Sequence, residues 1–146
     1  MAEDVRALLQ LMTRRFGLLN KTCCSVGTVD ISLVQSHILY EIDRRHEPSM
    51  LQVAEALGMD ITTFSRQVQT LVGKKLVSKT PSGQDKRVYI LSLTTEGKFV
   101  AGAIDRQVND YLDQVFSQMN EFERDTVIRS LKLITDSMGK VPACCR

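Results

Sequence analysis

Proline and glycine are scarce, at three and eight of 146 residues, too few for a collagen-like or low-complexity chain. With 43% apolar and 25% charged residues, the composition excludes a disordered chain as well. No apolar run approaches the ~18–20 residues of a membrane span. The opening MAEDVRALLQ carries acids where a signal peptide carries bases, so a soluble, cytoplasmic protein with no membrane partner is expected. Only two histidines are present, and neither His37 nor His46 belongs to an HExxH, a Cys-His metal spacing or a nucleophile elbow. GMDITTFS lacks the glycines and lysine of a phosphate loop. The acids Glu121, Glu123 and Asp125 open a helix, where they favour its positive end. Nothing in these residues requires an enzyme or a resident cofactor.

What is present is enough chain for one compact domain, or a small domain with an added arm. The net charge of +2 is uninformative, but its distribution is not. Between Asp60 and Arg87 six bases (Arg66, Lys74, Lys75, Lys79, Lys86 and Arg87) face two acids, a local charge of +4. Such an asymmetry is expected where one face meets a polyanion.

Apolar spacing predicts a mainly α protein. Val5, Leu8, Leu9, Met12, Phe16 and Leu19 form one helical stripe over residues 5–19, and residues 20–30 read as a connection. A second helix over 32–45 carries Val34, Ile38, Leu39 and Ile42, with Asp30 or Ser32 as cap. A short helix over 49–57, buried through Leu51, Val53, Ala54 and Leu57, ends at Gly58. Asp60 caps the next, over 61–74, with Phe64, Val68 and Leu71 inward. Strands over 76–80 and 88–93 flank the turn-rich PSGQDK. Long helices over about 94–119 and 121–138 close the chain. The division is therefore 1–47, 48–95 and 96–146: N-terminal helices, a winged helix-turn-helix, and C-terminal helices with a cysteine-bearing tail. The outer helices leave apolar stripes with too little chain of their own to cover them. A second copy, in a homodimer, is the simplest cover.

The middle segment has the features of a reader of double-stranded DNA. A short helix, a glycine turn and a second helix form a helix-turn-helix candidate. Its second helix presents Thr62, Thr63, Ser65, Arg66, Gln67, Gln69 and Thr70, groups that hydrogen-bond base edges or phosphates, and no carboxylate after the cap. A β-hairpin follows with Lys86 and Arg87 at its tip. Asp85 and Arg87, two apart on an extended strand, would share a face, so that the carboxylate orients the guanidinium.

The stretch QVAEALGMDITTFSRQVQTLVGKKLVSKTPSGQDKRVYILSLTTEG resembles the winged-helix core of the MarR family. The matching positions are Ala54, Leu57-Gly58, Thr63, Ser65, Arg66, Val68, Leu71, Leu76-Val77, Asp85-Lys86-Arg87, and Leu93-Thr94 with Glu96-Gly97. The spacing of D-x-R to L-T-x-x-G is the most specific part, and the flanking helices are similar to the family's dimerisation arm. The resemblance implies a homodimeric transcription factor, usually a repressor, on a pseudo-palindromic operator. Its recognition helices would enter major grooves about 10 bp apart, and Arg87 would reach the minor groove. Lys75 departs from the pattern, since the family commonly has glycine just before this Leu-Val.

Four cysteines fall as two vicinal pairs, Cys23-Cys24 and Cys144-Cys145, with Lys21, Lys140 and Arg146 nearby. Bases favour thiolate, and thiolate clusters select soft metals and metalloids such as arsenite. The pairs, read as lying in a loop and a tail, are candidate effector ligands. Alternatives are an oxidant sensed by the same thiols, or a small amphipathic organic ligand in a pocket lined by Tyr40 and Tyr111. A winged-helix protein-interaction module that reads no DNA is the remaining alternative.

Overall fold

Residues 4–19 and 24–144 are described in the computed structural model, and among them are six helices and two two-stranded antiparallel sheets. Helix α1, Val5–Phe16, starts where the Asp4 side chain accepts a hydrogen bond from the Ala7 amide at 3.2 Å. It stops three residues short of the expected 19 because Gly17 turns left-handed, with φ 87°. The expected connection over 20–30 instead contains a hairpin, β1 (Cys24–Val26) against β2 (Val29–Ile31). Gly27, at φ 62°, supplies the positive dihedral at the first of two turn residues that a tight hairpin needs. Ile31 and Cys24 stand opposite each other and both are buried.

Helix α2, Leu33–Arg44, and helix α3, Met50–Ala56, each begin with a capping box, Ser32 with Gln35 and Ser49 with Gln52. In α2, Ile38, Leu39 and Ile42 are buried as expected, but Gln35 takes the fourth inward place and Val34 is exposed. Leu51 of α3 is likewise exposed rather than buried. The inward row runs through Met50, Val53, Ala54 and Leu57 at i, i+3, i+4 and i+7, which leaves Leu51 one step off the stripe. Helix α4, Ile61–Gly73, is capped by Asp60, which accepts from the Thr63 amide at 3.0 Å. It lays Phe64, Val68 and Leu71 into the core.

Strands β3 (Val77–Pro81) and β4 (Tyr89–Leu93) pair from Val77↔Leu93 to Pro81↔Tyr89. A bridge between Ser49 and Ile90, with the Leu91 amide on the Pro48 carbonyl at 2.8 Å, ties β4 to the start of α3. Helix α5, Thr95–Phe116, and helix α6, Glu121–Met138, follow. The chain divides into two compact units between Asp105 and Arg106, within α5. The first unit holds the core, built from Ile31, Ile38, Leu39, Val53, Phe64, Val68, Leu71, Leu76, Leu91 and Val100. In the second, α6 has no buried residue, and the Arg124 guanidinium lies over the Phe116 ring at 5.6 Å. No helix among the described residues is long and apolar enough to cross a membrane.

Three helices end in the same way. After α1, α3 and α4, the amides of Leu18, Met59 and Leu76 reach back to the carbonyls of Thr13, Ala54 and Leu71. The amides of Gly17, Gly58 and Lys75 close the inner bonds to Arg14, Glu55 and Val72. This is the Schellman arrangement, whose pivotal residue is left-handed. Gly17 and Gly58 adopt that conformation freely, whereas Lys75 is held at φ 62°. A Cβ in this region costs about 1–2 kcal/mol, and glycine loses about 0.4–1 kcal/mol more backbone entropy on folding. Lys75→Gly is therefore expected to stabilise the protein by about 0.5–1 kcal/mol, read as a higher urea midpoint at unchanged m-value.

Candidate nucleic-acid interface

Gly58, at φ 64°, makes the left-handed turn that redirects the chain from α3 toward α4. The Asp60 carboxyl is held below the ordinary carboxylate range by the hydrogen bonds of Thr63, side chain first and amide second, with a smaller contribution from Arg66. Thr62, Thr63, Arg66, Gln69 and Thr70 are exposed along α4, and Ser65 is half-buried. The Thr70 hydroxyl donates to the Arg66 carbonyl at 3.1 Å. Gln67 is set apart from this row, being half-buried, with its side-chain oxygen 3.5 Å from Gln35 Nε2. Lys74, counted above with the bases of the positive stretch, is also directed into the protein. Its Nζ donates to the Asp30 carbonyl at 2.8 Å and to Gln35 Oε1 at 3.2 Å.

The wing places its charges differently from the expectation of a shared strand face. Asp85 and Arg87 lie in the loop between Pro81 and Tyr89, outside β3 and β4. What joins them is a side-chain turn: Asp85 Oδ1 accepts from the Arg87 amide at 3.0 Å and from its Nε at 3.3 Å, while Nη2 reaches Oδ2 at 3.5 Å. The Val88 amide on the Asp85 carbonyl, at 3.0 Å, closes the loop. The Arg87 side chain is 92% exposed, so the guanidinium is oriented yet fully available. Its amide and then its side chain hold the Asp85 carboxyl below the ordinary range. Because folding lowers both Asp60 and Asp85, the stability they add is in place above ordinary carboxylate values and fades as the pH falls through their lowered ones. Lys86 is exposed beside Arg87, and Lys79 on β3 lies over the Tyr89 ring of β4 at 4.3 Å.

The cysteines follow a different course. Cys23 and Cys145 lie outside the described residues. Cys24 is buried in β1, contrary to the expectation of a loop thiol, because strand alternation turns it inward with Ile31. Cys144 is exposed, in the second unit. No group of three or more His, Cys, Asp or Glu able to hold a metal occurs among the described residues. Tyr40 is exposed and lies against Arg44, whose guanidinium is over the ring and also donates to the hydroxyl. Tyr111 is in the second unit. A groove of about 330 Å³ in the first unit is lined by Ile42, Asp43, Arg45, Glu47, Leu91, Ser92, Leu93 and Lys98, without either tyrosine.

A sequence model of the MarR family matches residues 29–88, which span β2 through the wing loop. The uncharacterized HTH-type transcriptional regulator YybA of Bacillus subtilis (strain 168) is 24% identical over 119 residues, 78% of this chain and 79% of its own length. Among solved structures, Streptococcus pneumoniae FabT in complex with DNA superposes with TM-score 0.82 at 19% identity, over 94% of this chain and 96% of that one. The S. aureus MepR–DNA complex does so with TM-score 0.78 at 22% identity, over 93% and 99%. Helix-turn-helix and wing lie within the segment that matches the MarR family, and the fold is that of the winged-helix structures of FabT and MepR.

Proposed function

We propose that the protein is a cytoplasmic homodimer that represses transcription by binding a pseudo-palindromic operator. The observation that carries this reading is the pairing of a carboxylate-free outer face on α4 with a wing arginine that Asp85 holds oriented and exposed. Thr62, Thr63, Ser65, Arg66, Gln69 and Thr70 would meet base edges and phosphates in the major groove, with Lys86 and Arg87 on the backbone and minor groove. Gln67 supports the helix instead of touching DNA. Residues 48–95 act as the reader, and residues 1–47 and 96–146 supply the dimerisation arm. In its favour, Val5, Leu8 and Met12 of α1 and Leu131, Ile134 and Met138 of α6 form exposed helical stripes. A second copy is the economical way to bury them.

For the effector, the thiols remain the favoured route. Cys24 lies in the hairpin whose Asp30 carbonyl receives Lys74, the residue that ends α4. A soft metal or metalloid captured by Cys23 and Cys24 would disturb the hairpin and through it the reading helix, and Cys144 with Cys145 is a second candidate pair of thiol ligands. The test is fluorescence anisotropy of the reduced protein on labelled DNA from upstream of its own gene, with arsenite titrated in. Binding that weakens steeply with salt and is released by stoichiometric arsenite is expected. The variant with all four cysteines replaced by serine should bind and ignore arsenite. Release that persists in that variant would instead favour an organic ligand, and salt-insensitive behaviour with no duplex bound would remove the DNA reading.

A further inference from the structure

Gln35 is the buried polar side chain of the core among the described residues, 7% exposed, and every polar atom of its amide is engaged. Its Oε1 accepts from the Ser32 amide at 3.2 Å and from Lys74 Nζ at 3.2 Å. Its Nε2 points at Gln67 Oε1 at 3.5 Å. Lys74 Nζ goes on to the Asp30 carbonyl at 2.8 Å. Two stretches distant in sequence meet here: residues 30–35, from the end of the β1–β2 hairpin into the first turn of α2, and α4 with its cap Lys74.

Placing such a group in a core is unfavourable unless its hydrogen bonds are made, and an apolar residue would fill the volume without that demand. The apolar contacts of Phe64, Val68 and Leu71 hold α4 to the core, but hydrophobic burial has no direction and tolerates small rolls of a helix. Hydrogen bonds do have direction. Gln67 and Lys74 are seven residues apart, two turns on one side of the helical path, so anchoring both fixes the roll of α4 as well as its tilt. Base-edge contacts along the exposed row of α4 require that roll to be held to a fraction of an ångström. From this geometry we infer that Gln35 and Lys74 are positioning residues for sequence reading: they form a polar clamp that sets the roll of the recognition helix, and Lys74 acts there rather than on phosphate. The inference rests on the DNA reading proposed above for its consequence, though not for its geometry.

The test compares wild type with Gln35→Leu, Gln35→Glu and Lys74→Met on two probes, poly(dI-dC) and the duplex that wild type selects from a randomised pool. Gln35→Leu should reduce the preference for the selected duplex by about tenfold or more, with little change on poly(dI-dC). Gln35→Glu, which keeps an acceptor for Lys74 and lets the Gln67 amide turn to donate, should restore the preference to within about threefold. Lys74→Met should lower the preference while leaving the salt slope unchanged. A slope reduced by about one per protomer would place Lys74 on phosphate and overturn its assignment. An unchanged preference in both Gln35→Leu and Lys74→Met would overturn the clamp. Amide exchange in the free proteins separates this from the DNA reading. Residues 70–73 should exchange faster in Gln35→Leu and Lys74→Met while the interior of α5 does not. If they do not exchange faster, the clamp is wrong whether or not DNA is bound. If they do and wild type selects no duplex, the DNA reading fails and the clamp stands as a fold feature. Lys74→Met keeps the test open should Gln35→Leu not fold.

Discussion

Gly97→Ala should destabilise the protein by about 3 kcal/mol or more, the opposite of what helix propensity predicts. In a helix interior, alanine is favoured over glycine by about 0.8–1 kcal/mol. Gly97 lies in the first turn of α5 and is buried. A Cβ built there would fall onto the Leu76 carbonyl oxygen, with the carbonyl carbon 2.9 Å and the Leu76 Cα 3.3 Å away. These are backbone atoms, so no side chain can swing aside to make room. Nor can the strand give way, because that same carbonyl accepts from the Thr94 amide at 3.0 Å. The Thr94 hydroxyl bridges the junction, donating to the Lys75 carbonyl at 2.8 Å and accepting from the Gly97 amide at 2.9 Å. Leucine, threonine and glycine in L-T-x-x-G thus have separate tasks. Leu93 ends the wing strand opposite Val77, Thr94 caps α5, and Gly97 lets α5 lie on the start of β3. Urea unfolding followed by circular dichroism measures the loss. A Gly97→Ala midpoint equal to wild type would show that the close approach is not required.

That motif was legible as a spacing, while the reason for it was not, since its clash partner lies 21 residues earlier, at Leu76. The same division recurs through the molecule. Caps and stops were readable because they are local: Ser32, Asp60 and Gly58 act within three or four residues of themselves. Lys75 could be singled out as a departure from a glycine, and its left-handed backbone gives the physical content of that departure. What stayed out of reach were pairings across long separations. Nothing near Gln67 or Lys74 shows that Gln35, more than thirty residues earlier, turns both away from the outer face. In sequence, Gln67 groups with the reading row because it is one of the polar residues expected on the second helix's exposed side, beside Arg66 and Gln69. Its contact with Gln35 comes from a residue too far away in sequence to be signalled there. The hairpin around Gly27 escaped for a related reason, since three-residue strands carry too little alternation to stand out from a loop.

Arg87→Ala should weaken binding to the selected duplex about 10–100-fold and leave thermal stability unchanged. The side chain is 92% exposed and contributes nothing to the core, so lost binding would not be lost folding. The loss on DNA comes from two sources. One is charge: each guanidinium that displaces counterions adds to the salt slope, so a dimer should lose up to about two from that slope. The other is orientation, which Asp85 provides through its fork on Nε and Nη2. Asp85→Ala separates the two. Removing a carboxylate from beside the phosphates favours non-specific contact, whereas freeing Arg87 to sample other rotamers disfavours insertion into a groove. Affinity for poly(dI-dC) should therefore hold or rise while affinity for the selected duplex falls. Arg87→Lys should lie between wild type and Arg87→Ala, because an ammonium keeps the charge but cannot span both carboxylate oxygens in the same fixed plane. Equal losses on both probes for Asp85→Ala would mean that the carboxylate shapes the loop and does not aim the arginine. No loss for Arg87→Ala on either probe would take the wing out of the interface.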